Sequence, residues 1–292
     1  MQIPTDKLHH FLFENTPIRG NLVHLDSTYV AALAHQQLPM VIKQALGELM
    51  AASALLVATL KMNGAMVLQI QTKGRLKLLV VECSSDLAMR ATAKWEGDIA
   101  DDADFLTLIQ QGHCIITLDT KHSEPYQGIV PIEGKNIAEM LENYMRRSQQ
   151  IDTRLWLSCD GTIAAGLLVQ KLPEQEAIDA DVWQRITMLA DTITPQELKN
   201  ESAERILTRL FHEEDVRLFE AKTTRFYCQC TRDNVGKMLQ MLGIEEIESI
   251  LSEQEEIDIH CDFCNKQYLF DAVDAATLFA NGDVIKTSKA IH

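Results

Sequence analysis

The chain has 292 residues, of which 46% are apolar and 24% charged. That composition excludes a wholly disordered or collagen-like chain, and the length allows about two domains. A net charge of −15 argues against whole-surface binding to nucleic acid or to an anionic membrane.

The charge is unevenly spread. Residues 1–171 hold 15 basic and 18 acidic side chains, whereas residues 172–292 hold 12 basic and 24 acidic ones and four of the seven cysteines. The first residues, Met1-Gln2-Ile3-Pro4-Thr5-Asp6, lack the basic-then-apolar pattern of a signal peptide. The apolar-rich run Met50–Leu60 is too short to span a bilayer. Together with thiol-rich composition this reads as a cytoplasmic chain with reduced cysteines.

In chain order, His9–Phe13 and Asn21–Leu25 read as strands around the turn at Asn15-Thr16-Pro17. Pro39 opens a long helical pattern with Val41, Ala45, Leu49, Ala52, Leu55 and Leu56 on one stripe. Ala65–Gln71 and Leu76–Glu82 form a hairpin pattern around Lys73-Gly74. His113–Leu118 and Gly128–Ile132 are further strands, Asn136–Arg146 is a helix, and Leu155–Cys159 and Ile163–Val169 are strands around Asp160-Gly161. Strands grouped with a few helices predict an α+β domain over 1–171, since regular βαβ alternation is missing.

Residues 172–224 form an acidic segment that reads as two or three amphipathic helices. Thr194-Pro195-Gln196-Glu197 combines a capping box with proline at the first helical position. Ala203, Ile206, Leu207, Leu210 and Phe211 form one apolar stripe, and Trp183, Ile186, Leu189 and Ile193 a weaker one. Short helices with thin apolar faces need a surface to dock on. Residues 225–292 are a small third segment. Ile257–His260 and Tyr268–Phe270 read as strands, Asp274–Phe279 as a closing helical turn, and Glu245–Asp258 carries seven acids and no base.

Cys228-Gln229-Cys230 and Cys261-Asp262-Phe263-Cys264 carry the chemistry. Two close thiolate pairs suit one tetrahedral Zn²⁺, with Zn–S near ~2.3 Å. Four sulfurs leave no open position for a catalytic zinc, and the acidity of the segment opposes a nucleic-acid-binding finger. A structural zinc is the default role. Redox sensing is the second, because a bound sulfur is thiolate, the oxidisable form, and each cysteine has a partner two or three positions away. A thiol–disulfide oxidoreductase using Cys261 and Cys264 is the alternative. It is disfavoured because its CxxC should open a helix after a strand. His260 reads as a solvated strand-end residue. Cys83, Cys114 and Cys159 read as buried small residues. His9, His10, His113 and His122 complete no catalytic or metal set, and no P-loop, GxGxxG or GxSxG motif occurs. No catalytic residues are assigned.

The segments Phe226–Arg232 and Cys261–Phe270, together with Tyr126–Pro131, Tyr144–Ser148 and Ala164–Gln170, resemble the bacterial thirty-three-kilodalton heat-shock chaperones over essentially the whole chain. Mild departures fall at Ser148-Gln149-Gln150, Ala165-Gly166 and Thr231-Arg232-Asp233-Asn234 and leave the cysteines untouched. The resemblance implies three parts, namely an α+β core, a helical linker and a small C-terminal zinc-binding domain that acts as a redox switch. It further implies a reduced, inactive monomer holding one zinc through Cys228, Cys230, Cys261 and Cys264. Oxidation is then expected to form a disulfide within each pair, release zinc, unfold switch and linker, and allow a homodimer to form. That dimer is expected to hold unfolding client proteins without ATP and hand them to ATP-driven chaperones.

Overall fold

The computed structural model describes residues 6–120, 124–173 and 181–280. Residues up to Tyr227 form one compact unit and those from Cys228 onward a second.

The first unit runs β1 (Lys7–Phe13), β2 (Ile18–Leu25), α1 (Ser27–Leu33), α2 (Met40–Val57), β3 (Gly64–Gln71), β4 (Leu76–Ser84), β5 (Ala88–Trp95), α3 (Phe105–Ile109), β6 (His113–Thr120) and β7 (Tyr126–Pro131). It continues with α4 (Ile137–Tyr144), which passes into a π-helical turn at Met145–Gln149, then β8 (Thr153–Cys159) and β9 (Ala164–Lys171). The remaining elements are α5 (Val182–Ala190), α6 (Pro195–Asn200), α7 (Ala203–Phe211) and the short strands β10 (Val216–Leu218), β11 (Lys222–Thr223) and β12 (Arg225–Phe226).

Two sheets result. One has the order β10-β1-β2-β9-β8, with β11 also on β1, and the other has the order β12-β5-β4-β3-β6-β7. Helix α2 packs on strands of both, so its surface is apolar almost all round and 14 of its residues are buried. Among the described residues it is the one helix long and apolar enough to cross a bilayer, and most of it is buried inside this unit. It begins directly after Pro39, where the helical pattern predicts. Asn21 on β2 donates its side-chain amide to the Leu55 carbonyl of α2 at 3.1 Å, which satisfies a polar group inside the core.

The first sheet is apolar on its outer face as well. Phe11, Phe13, Leu22, Leu167 and Val169 form a second core with α5, α6 and α7. The predicted stripe Ala203, Ile206, Leu207, Leu210 and Phe211 is wholly buried there. On α5 the buried face is Val182, Ile186, Thr187 and Ala190, with Trp183, Leu189 and Ile193 only flanking it. The rings of Phe13 and Phe211 meet edge to face at 4.9 Å. The capping box is formed, with Glu197 N donating to Thr194 Oγ1 at 3.2 Å and Thr194 N to Glu197 Oε2 at 2.9 Å. Ion pairs tie the helices at their rims, including Lys199 with Asp160 at 2.8 Å and Arg154 with Asp191 at 2.8 Å.

Several elements differ from the sequence expectation. Strand β5 is alanine-rich, and alanine is a weak strand former. Its small side chains let α1 and α2 pack on it, and Ala91 is fully buried. Helix α1 has no cap from Asp26. Instead the Asp6 carboxylate accepts from the backbone N–H groups of Asp26, Ser27 and Thr28 at 2.8–3.1 Å, a partner 20 residues away that no local pattern announces. The linker is not helical throughout, because β10 and β11 pair with the free edge of β1.

Three histidines sit on this sheet. His24 Nε2 lies 2.8 Å from the Leu198 carbonyl of α6, which assigns the proton to Nε2. Burial holds His9, His10 and His24 below the ordinary imidazole value of 6.5. The unfolded chain therefore binds more protons than the folded one below pH ~6.5, and stability falls as pH drops through that range. The urea midpoint of this unit is expected to be lower at about pH 5.5 than at about pH 7.5, with a smaller difference in His24→Gln. Phe211→Ala is expected to cost about 3–5 kcal/mol in the same measurement.

Candidate metal centre

The second unit contains α8 (Arg232–Leu242), α9 (Ile244–Glu253), β13 (Ile257–His260), β14 (Gln267–Phe270) and α10 (Ala272–Ala280). Neither α8 nor α9 was expected. Helix α8 starts at Thr231, whose hydroxyl accepts from Asn234 N at 3.1 Å. The acidic run forms most of α9, where Glu245 and Glu246 occupy the first turn, the end at which negative charge favours a helix. The core of this unit is small, comprising Leu239, Ile247, Ile257, Tyr268, Phe270 and Ala275.

β13 and β14 are antiparallel, with His260 opposite Gln267. The turn between them carries the second cysteine pair. Cys261 N donates to the Lys266 carbonyl at 3.0 Å, and Asn265 N donates to the Cys261 carbonyl at 2.8 Å. Asn265 has φ 55°, a left-handed conformation that asparagine tolerates well. The turn thus folds back tightly enough for Cys261 and Cys264 to face one point.

The first pair arrives on the segment leading into α8. Tyr268 Oη donates to the Cys230 carbonyl at 2.9 Å, and Asn234 donates its side-chain amide to the Gln229 carbonyl at 3.2 Å. Arg232 stacks over the Phe270 ring at 4.3 Å and pairs with Asp274 at 2.7 Å. These contacts seat Cys228-Gln229-Cys230 beside the hairpin.

The sulfurs of Cys228, Cys230, Cys261 and Cys264 all lie within 4.8 Å of one another. Cys228 and Cys261 are 3.7 Å apart and Cys230 and Cys264 3.2 Å apart. Four convergent, partly buried soft donors suit a closed tetrahedral zinc site. Burial first, and then the neighbouring sulfurs, push the Cys264 thiol up to about 12. Neutral thiols packed this closely need a cation to become thiolates together, so metal uptake is expected to release protons.

The other sequence candidates stand apart. His260 is exposed, with Nε2 3.3 Å from an Asp258 carboxylate oxygen, and is outside the sulfur cluster. Cys83 and Cys114 are fully buried, while Cys159 is only partly so. Burial raises the thiols of all three, which makes them poor nucleophiles. His122 lies outside the described residues. Sequence reasoning missed Tyr268 as a support of the site. A hydroxyl-to-carbonyl contact across 38 residues has no sequence signal.

The Hsp33 protein family pattern matches residues 6–271. The chain belongs to the Hsp33 family. It is 57% identical to a 33 kDa chaperonin of Methylobacillus flagellatus, with all of each chain covered, and 46% identical to that of Chromobacterium violaceum, with 98% of each covered. The crystal structure of the Thermotoga maritima 33 kDa chaperonin superposes with a TM-score of 0.82 at 21% identity, covering 94% of this chain and 98% of that one. The mixed α and β architecture is therefore that of the Hsp33 fold.

Replacing Cys261 by serine is expected to lower zinc affinity steeply. The amides of β13 and β14 should then lose hydrogen-exchange protection, while those of β2 and β9 keep theirs.

Proposed function

We propose that this Hsp33 chain is a redox-regulated, ATP-independent holdase rather than an enzyme, with Cys228, Cys230, Cys261 and Cys264 serving both as zinc ligands and as oxidant sensors. Family membership supports the chaperone reading. The observation that carries the regulatory part is the convergence of four sulfurs in a unit whose core, among the described residues, is six buried side chains. So small a core needs a staple. Bound Zn²⁺ would supply that staple by joining residues 228–230 to residues 261–264.

Oxidation acts on the cysteines. Each pair of thiolates that becomes a disulfide gives two electrons to the oxidant, and four thiolates yield two disulfides with no ligands remaining. Structural zinc contributes roughly 10–16 kcal/mol in small fingers, comparable with the whole stability of a domain, ~5–15 kcal/mol. Residues 225–292, the redox-switch part in this reading, would unfold on losing it. The linker, residues 172–224, would follow, uncovering the apolar outer face of the core, residues 1–171. That face carries Phe11, Phe13, Leu22, Leu167 and Val169, a surface suited to unfolding client proteins. Dimerisation of the oxidised form, handover of clients to ATP-driven chaperones and a cytoplasmic setting complete the reading.

An oxidoreductase using Cys261 and Cys264 is the weaker alternative. Its attacking thiol should be exposed and acidic at a helix start, whereas this pair sits in a turn between two strands and Cys264 is pushed up to about 12.

Aggregation of a chemically unfolded client is the direct assay. Protection should follow oxidation with loss of about one zinc per chain and should be absent from the reduced protein; equal protection by the reduced form would defeat the switch. Hydrogen exchange should show α5 and α7 losing protection when zinc is lost. Mass spectrometry of the oxidised chain should find the local disulfides Cys228–Cys230 and Cys261–Cys264. In the folded unit Cys228 also lies 3.7 Å from Cys261 and Cys230 3.2 Å from Cys264. Cross-linked pairs of that kind would mean that oxidation precedes unfolding.

A further inference from the structure

Between the two sheets, at the C-terminal end of α2, lies a cavity of about 110 Å³. Arg19, Gln170, Thr59 and Gln149 supply its polar edge, and Leu56, Met66, Ile116, Leu118 and Met145 are among its apolar walls. Arg19 is half-buried. Its Nε and Nη2 donate to Gln170 Oε1 at 3.1 and 2.5 Å, and Nη2 also donates to the Thr59 carbonyl at 3.1 Å. Gln170 is fully buried and is itself fixed by donation to Thr153 Oγ1 at 3.0 Å. The guanidinium is therefore held rigidly from one side.

What it lacks is a counter-charge. Among the described residues Arg19 forms no ion pair, its Nη1 makes no hydrogen bond, and no acidic residue lines the cavity. The carbonyls at the end of α2 supply only part of a negative charge. A cation kept in an apolar recess without an anion is costly, and a planar guanidinium matches a carboxylate in shape and charge. The recess is also bounded by the π-helical turn Met145–Gln149, a feature frequent at functional sites.

We propose that this cavity is a binding site for a free short-chain aliphatic monocarboxylate, its carboxylate on Arg19 and its chain among Leu56, Met66, Ile116 and Leu118. A ligand of mostly apolar body with one convergent charged group is what such a pocket selects. At about 10–15 Å³ for each water-sized group, the volume suits roughly four to eight carbons. The site is independent of the cysteine cluster and needs no change in its redox state.

The test is a titration of the reduced, zinc-loaded full chain with sodium hexanoate, followed by methyl NMR of Met66 and Leu118 and by thermal unfolding. Saturable shifts at both methyls and a raised Tm are expected. Hexan-1-ol and hexylamine should bind about ten- to a hundred-fold more weakly, as loss of a charge-assisted hydrogen bond requires. Affinity should stop rising beyond octanoate. Arg19→Gln should lose the preference for hexanoate over hexanol, and Arg19→Lys should keep part of it. The proposal is overturned if hexanoate gives no saturable shift at millimolar concentration or if hexanol binds equally well. Affinity that keeps climbing through dodecanoate, or equal binding of a tetrapeptide ending in a free leucine carboxylate, would also overturn it, since either needs an open groove. The ligand comparison on the unaltered chain decides the matter even if Arg19→Gln does not fold.

Discussion

The fold of the larger unit depends on one constraint: the sheet built on β1, β2, β9 and β8 is apolar on both faces. Strand β9 shows it most plainly, since Ala164 to Gln170 are all buried. Alternate residues of β9 face α2 on one side and the linker helices on the other. A strand covered on both faces reads as a continuous apolar run. Two covering layers are then obligatory, and they are unlike. Helix α2 is enclosed between sheets and has no other place to go. Helices α5, α6 and α7 cover the outer face with their apolar stripes and turn their charged sides to solvent.

The smaller unit solves a different problem. Among the described residues its fully buried apolar core is small, and small cores are commonly reinforced by a metal or a cross-link. Hydrogen bonds from Tyr268 and Asn234 and the stacking of Arg232 on Phe270 seat the first cysteine pair beside the second. Acids crowd α9 and the chain after it, and their mutual repulsion opposes compactness.

Much of this was legible in the residues. The long stripe after Pro39 gave α2 and the Thr194 capping box gave the start of α6, because each rests on contacts local in sequence, while the CxC and CxxC spacing marked two donor pairs that the fold joins across more than 30 residues. What escaped did so for stated physical reasons. Strand β5 hides behind alanines that serve close helix packing. Helix α1 is capped by Asp6 from a distant part of the chain. Short strands β10, β11 and β12 have too few residues for any period to show, and exist because an edge was available to pair with.

Those three short strands have a further consequence. β10 and β11 lie along β1, and β12 lies along β5 with Tyr227 N donating to the Met89 carbonyl at 3.0 Å. Without residues 216–227, β1 and β5 would each be the outermost strand of its sheet. Lifting this one stretch therefore bares two rows of main-chain donors and acceptors at once. Such rows are indifferent to side chains and pair with an extended segment of any composition. A single peeling event would turn two closed borders into two templates that ask nothing of a guest's sequence beyond its being unfolded.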